Sequence, residues 1–136
     1  MDIFFLSPVE AVWKAWTEPS LVLKWFGSDP GGKGLQAQME VRPGGYFEIS
    51  FCDSDSTEHT CSGIYTIVEL NRHLAFTWSW KSEPGVESQV EVLLSGHVQS
   101  TNMHFSHSKV GHASIHNYFK GWQDTFRKLE LMLSQV

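Results

Sequence analysis

Residues 115–133 read IHNYFKGWQDTFRKLELML, and their spacing decides the fold. Ile115, Phe119, Trp122, Phe126, Leu129 and Leu133 step by 4, 3, 4, 3 and 4, which stacks side chains on one face of an α-helix. Tyr118, Thr125 and Met132 add a second row, widening the stripe beyond a coiled-coil seam to the face of a helix lying on a sheet. A long C-terminal helix of this kind needs a broad apolar surface beneath it.

The strands that can supply that surface stand upstream. From Leu35 the period becomes two: Leu35, Ala37, Met39 and Val41 alternate with Gln36, Gln38, Glu40 and Arg42. Pro43-Gly44-Gly45 reads as a turn, and Tyr46 to Asp53 alternates again, with Phe47, Ile49 and Phe51 on one face. Further strands are expected at Thr60–Leu70, Leu74–Lys81, Ser88–Ser95 and Thr101–Lys109, separated by NRH, SEPGVE and GHVQS. Connections this short imply an antiparallel meander. Ahead of it, Ser7-Pro8-Val9-Glu10 marks a helix starting at Pro8, with Ser7 as its cap and Glu10 placed for a capping box. Val9, Val12, Trp13 and Trp16 give that helix a buried face; Pro19 restarts a second short helix, which Gly27 and SDPGGKG end. The order is a short strand, two small helices, six strands and one long helix, so the fold class is α+β in one domain spanning residues 1–136. A bent sheet wrapped around a helix does not close on it everywhere, and the gap is a natural ligand cavity.

Composition narrows the partners. The 136 residues are 41% hydrophobic and 18% charged, within the globular range. A net charge of -5 disfavours nucleic acid and anionic membrane surfaces. The N-terminal MDIFFLSPVE lacks the basic flank and length of a secretory signal, and no apolar run is long enough to span a bilayer, so a cytoplasmic location is expected. Cys52 and Cys61 flank DSDSTEHT, where a hairpin could set them opposite each other; in a reducing cytosol they are expected as free thiols.

The motifs of common chemistries are weak. His104, His107, His112 and His116 are clustered, but His104 and His107 are three apart on a strand and point to opposite faces, so no metal site is expected. Gly31-Gly32-Lys33-Gly34 precedes a strand and reads as a flexible connection rather than a phosphate loop. No cofactor and no activated nucleophile is indicated. Glu48, Glu69, Glu91, Arg42 and His107 are the acid–base types available, and each reads as part of a solvated strand face or a cross-strand ion pair. The aromatic residues say more: Trp78 and Trp80 share a face with Phe76, Met103 and Phe105 form a similar pair, and Tyr118, Trp122 and Phe126 face them from the helix. Gly121 beside Trp122 suggests that the helix approaches another backbone closely there.

PVEAVWKAWTEP, LKWFG, VRPGGYFEISF, SGIYTIVELNRHLAFTW and NYFKGWQDTFRKLELML together resemble the activator of heat-shock-protein ATPase homologue family, from about Leu6 to Leu133. That family belongs to the START-like (SRPBCC) superfamily of helix-grip folds. The resemblance implies a curved seven-stranded antiparallel sheet gripping the C-terminal helix, with a hydrophobic cavity between them. It implies no single activity: superfamily members bind lipids, sterols or polyketides, some catalyse cyclisation or dehydration, and the eukaryotic namesake stimulates a chaperone ATPase. Single-domain members lack the namesake's extra N-terminal domain, so the chaperone role is not carried over. The leading expectation is a non-catalytic module for a small hydrophobic or amphipathic molecule. A cyclase or dehydratase in the same cavity and a chaperone-interaction module are the alternatives, and a homodimer is compatible with each. Candidate lining residues are Trp25, Phe26, Tyr65, Trp78, Trp80, Met103, Phe105, Tyr118, Trp122 and Phe126. Trp25 and Phe26 would gate the pocket, since the resemblance places its rim there, whereas Trp13 and Trp16 belong to helix packing.

Overall fold

The alternating segments pair into one seven-stranded antiparallel sheet in the computed structural model, which describes residues 1–108 and 118–135. The strands are β1 (Asp2–Phe5), β2 (Lys33–Met39), β3 (Tyr46–Cys52), β4 (Glu58–Glu69), β5 (His73–Trp80), β6 (Ser88–Gly96) and β7 (Thr101–Ser108). Helices α1 (Val9–Thr17) and α2 (Pro19–Trp25) follow β1, and α3 (Tyr118–Ser134) comes last. The sheet order β1-β7-β6-β5-β4-β3-β2 is a meander with β1 added beside β7, where Asp2 stands opposite His104 and Phe5 opposite Thr101. The α+β order read from the pattern is the one observed. Lys109, Ile115, His112 and His116, which that reading also used, lie outside the described residues.

Parity along the strands puts one row of side chains under the helices. Phe47, Ile49 and Phe51 of β3, Phe76 and Trp78 of β5, Val90, Val92 and Leu94 of β6, and Met103 and Phe105 of β7 are all buried. From above, α3 lays down Trp122, Thr125, Phe126, Leu129 and Leu133, and α1 adds Val12, Trp13, Ala15 and Trp16 to the same core. Burying each large apolar side chain contributes about 1.5–3 kcal/mol.

The curvature has a local origin in the Pro43-Gly44-Gly45 turn. Gly44 N donates to Tyr65 O at 2.8 Å and Tyr65 N donates to Gly45 O at 2.9 Å, so the turn docks on β4 where its pairing with β5 slips between Tyr65 and Ile67. A bulge of this kind bends a strand and increases its twist. The approach is close enough that a Cβ on Gly45 would lie 1.9 Å from Glu40 O.

Several details depart from the sequence pattern. Phe119 is 65% exposed. At 100° per residue it lies at the edge of the stripe centred on Trp122 and Leu129. Leu35 is exposed because β2 slips register between Gly34 and Gln36, leaving Leu35 without an opposite residue. Ser7 does not cap α1: Pro8 is the N-cap residue, without a side-chain bond, and Ser7 O instead accepts Thr101 Oγ1 at 2.8 Å. The Gly31–Gly34 connection is pinned rather than flexible, since Asp29 accepts bonds from Gly31 N, Ser54 N and Ser54 Oγ at 2.8–2.9 Å. Cys52 and Cys61 are free and buried, and not opposite each other; Cys52 pairs in register with Glu58, and Cys61 with Ile49.

Candidate functional site

The sheet and α3 separate at one end, leaving a cleft of about 170 Å³. Phe26, Gly27 and Ser28 at the end of α2 form one side, Phe51 of β3, His59 of β4 and Trp78 and Trp80 of β5 form the floor, and Tyr118, Gly121, Trp122 and Thr125 of α3 form the roof. Two glycines open it. Gly27, at φ +106°, takes a left-handed turn that L side chains avoid, and so swings Ser28 away from the end of α2. A Cβ on Gly121 would have Ser28 Cβ, at 4.0 Å, as its nearest heavy atom. Gly121 therefore leaves space, and the close backbone approach expected there does not occur. The next turn of α3 docks tightly instead, with Phe126 and Leu129 buried and Thr125 Oγ1 donating to Gly121 O at 2.7 Å.

The walls are aromatic and mutually braced. Phe26 lies 5.9 Å from the ring centroids of Phe51, Trp78 and Trp122, and Trp78 lies 5.2 Å from Trp80 and 5.3 Å from Trp122 in edge-on arrangements. Such pairs contribute about 0.5–1.5 kcal/mol beyond the area they bury, so the wall is preorganised. Trp122 is oriented from behind: its Nε1 donates to His107 Nδ1 at 3.0 Å, while His107 Nε2 meets Ser88 Oγ at 2.6 Å. An indole is donor-only, so Nδ1 is bare and Nε2 carries the proton. Burial lowers the pKa of His107 to about 4, in keeping with a neutral ring.

One side of the cleft is polar. His59, on its wall, bonds through Nε2 to Asp53 Oδ2 at 2.8 Å. Nearby, Lys128 Nζ donates to Asp29 O at 3.0 Å; burial lowers the pKa of this ammonium, and Asp29 and Asp53 oppose that shift. Backbone bonds from Ser54 and Gly31 hold the Asp29 carboxyl below its ordinary range.

Of the ten candidates, Phe26, Trp78, Trp80, Tyr118 and Trp122 line this cleft. Phe26 and Tyr65 border a separate void of about 10 Å³, room for one water at most. Trp25, Met103, Phe105 and Phe126 lie in the core, outside the cleft lining. Trp25 sits behind Phe26 at 5.2 Å, with its Nε1 bonded to Ala15 O at 2.9 Å. Phe51, His59, Ser28 and Thr125 complete the lining without having been singled out by sequence. Phe51 and His59 stand opposite each other across β3 and β4, a pairing that the sequence shows only once the hairpin register is known. His107 turns inward to Trp122, not out to solvent or into an ion pair; its neighbour His104 faces outward and bonds Asp2 at 2.7 Å.

A bent antiparallel sheet gripping a C-terminal helix, with a cleft between them, is the helix-grip architecture of START-like proteins. The chain belongs to the family described as activator of Hsp90 ATPase homolog 1-like protein, whose family model matches residues 7–134. Among solved structures, a protein from Nitrosomonas europaea is 25% identical, with a TM-score of 0.77 over 99% of this chain and 95% of its own. The AHSA1 protein from Silicibacter pomeroyi is 21% identical, with a TM-score of 0.81 over 99% of both chains. DynU16, a protein in the dynemicin biosynthetic locus, is 25% identical with a TM-score of 0.77, and the match covers 98% of this chain and 46% of DynU16. No curated protein matches the chain. No helix among the described residues is long and apolar enough to cross a membrane.

Proposed function

We propose that the protein binds a small hydrophobic or amphipathic molecule in the cleft between α3 and the sheet. The observation that carries this reading is the braced aromatic wall around about 170 Å³ of space. An apolar cavity of about 150 Å³ accepts a benzene ring. This cleft is therefore on the scale of a one- or two-ring molecule, or of the apolar end of a longer one whose polar part rests by His59. The test is a thermal-shift and native mass-spectrometry screen against aromatic metabolites and lipids, run in parallel on Gly121→Leu, which fills the cleft. Ligands should stabilise the parent protein and lose that effect in the variant. A panel without hits, or hits unaffected by Gly121→Leu, would count against the cleft.

The His59–Asp53 pair favours a second reading, an acid–base enzyme of the cyclase or dehydratase type. A carboxylate-oriented imidazole on a cavity wall is the arrangement of a general base. In that case His59→Gln should abolish turnover of a bound ligand while leaving its affinity within a few-fold.

A further inference from the structure

Behind the cleft wall runs a hydrogen-bond chain whose direction is fixed at both ends. It starts at Trp122 Nε1, a donor only, which bonds His107 Nδ1 at 3.0 Å. His107 Nε2 donates in turn to Ser88 Oγ at 2.6 Å, and Ser88 Oγ donates to Trp78 O at 3.4 Å, the longest and weakest link. A carbonyl can only accept, so each proton in the chain has one place to be. Trp122 belongs to the roof of the cleft and Trp78 to its floor, whereas Ser88 and His107 lie outside the lining.

Packing holds Trp122 as a flat shape. Its ring lies 4.6–5.9 Å from the centroids of Phe26, Trp78, Phe105 and Phe126. The torsion that turns an indole about its Cβ–Cγ bond has two broad wells, roughly half a turn apart. A turned ring keeps the same plane but carries its benzo edge to the other side of the roof and gives up the His107 acceptor. The bond to His107 is thus the polar interaction that tells the two orientations apart. His107 can accept it only while its own proton sits on Nε2, and the partner of that proton is Ser88.

We propose that Ser88 and His107 are positioning residues for the cleft: Ser88 fixes the His107 tautomer, and His107 fixes the side of Trp122 that a ligand meets. This deepens the ligand-binding reading above and rests on it. Their effect reaches the ligand through Trp122, without contact of their own.

The probe is 2-naphthol, whose dissociation constant would be measured by calorimetry on the parent protein, His107→Leu, Ser88→Ala and His107→Gln. His107→Leu removes the acceptor and should weaken binding roughly five- to tenfold, and Ser88→Ala, which frees the tautomer, about two- to threefold. His107→Gln can accept from Trp122 and donate to Ser88, and should stay within about twofold of the parent protein. Nitrogen-15 spectra at pH 7 read the chain without a ligand. In the parent protein the His107 proton should sit on Nε2; in Ser88→Ala part of it should move to Nδ1, and the Trp122 Nε1–H signal should move upfield. This measurement decides the matter if His107→Leu fails to fold, since Ser88→Ala removes a single hydroxyl. Equal affinities in all four proteins, a His107→Gln variant as weak as His107→Leu, or unmoved His107 and Trp122 signals in Ser88→Ala would overturn the positioning role and leave the cleft reading standing. Failure of both 2-naphthol and indole to bind the parent protein up to their solubility overturns both.

Discussion

Lowering the pH from 7 to 4 should destabilise the fold through His107, and the size of the effect follows from its two bonds. Trp122 Nε1–H needs a bare Nδ1, so protonating the ring sets two donors against each other and charges a half-buried imidazole. Burial takes its pKa from 6.5 to about 4. The unfolded chain therefore gains a proton near pH 6.5 that the folded chain refuses until about pH 4. His107 thus adds to acid sensitivity: its effect is absent above 6.5 and grows as pH falls from 6.5 towards 4. At 1.36 kcal/mol per pH unit the full difference is about 3 kcal/mol, and partial solvent access brings the expectation to about 2 kcal/mol. Urea unfolding of the parent protein and of His107→Gln at pH 7, 5.5 and 4.5 would measure it. Glutamine can accept from Trp122 and donate to Ser88 without titrating. The stability gap between the two proteins should shift by about 2 kcal/mol in favour of the glutamine variant as the pH falls. Asp2, Asp29, Asp55 and Glu69 also have lowered pKa values, but they are common to both proteins and cancel in the comparison. Equal pH slopes for the two proteins, or a His107 ring signal titrating near 6.5 by NMR, would refute the reasoning.

Other substitutions probe separate parts of the fold. Gly121→Leu should weaken ligand binding at least tenfold while leaving the melting temperature equal or higher, since a leucine at an uncrowded helix position gains roughly 0.5–1 kcal/mol over glycine; calorimetry on any cleft ligand reads both. Gly45→Ala places a Cβ against Glu40 O and should cost more than about 2 kcal/mol or prevent folding, read by thermal denaturation; a near-neutral result would show that the turn can move off β4. Leu129→Ala empties a fully buried position on the inner face of α3 and should cost about 2–5 kcal/mol in urea unfolding. Burial pushes the Cys61 thiol well above its ordinary pKa, so iodoacetamide at pH 8 should label it only after denaturation, and rapid labelling of the native protein would contradict its enclosed position.

Helix α3 and the meander were legible because each sustains a single period over a long run of residues. The 4-3-4-3 stripe can only be a helix, and the alternation through Phe47, Ile49 and Phe51 can only be a strand with one wet face. What failed were features that depend on register between segments. The slip beside Gly34 turns Leu35 outward although its alternation is perfect, and the pairing of β3 with β4 separates two cysteines that a symmetric hairpin would bring together. Register is a property of two strands and the turn between them, and no single run of residues displays it.

The cleft was harder to read for a related reason: parity shows which rings face inward, not where the core stops being full. Trp25 and Phe26 are neighbours in sequence and equally apolar, yet they part at the end of α2. Trp25 completes the last helical turn and is pulled back by Ala15 O, whereas Phe26 is already extended, at φ -70° and ψ 137°, and turns onto the cleft wall. Gly121 posed the same ambiguity, because a helical glycine is compatible with a neighbour too close for a Cβ or with a space kept free of one. The turn at Gly27 settles which applies, by setting Ser28 opposite at 4.0 Å. A cleft made by side chains that are missing, on elements nearly a hundred residues apart, leaves its record in backbone geometry. The aromatic residues that sequence does reveal are the walls of that space and carry no mark of its location.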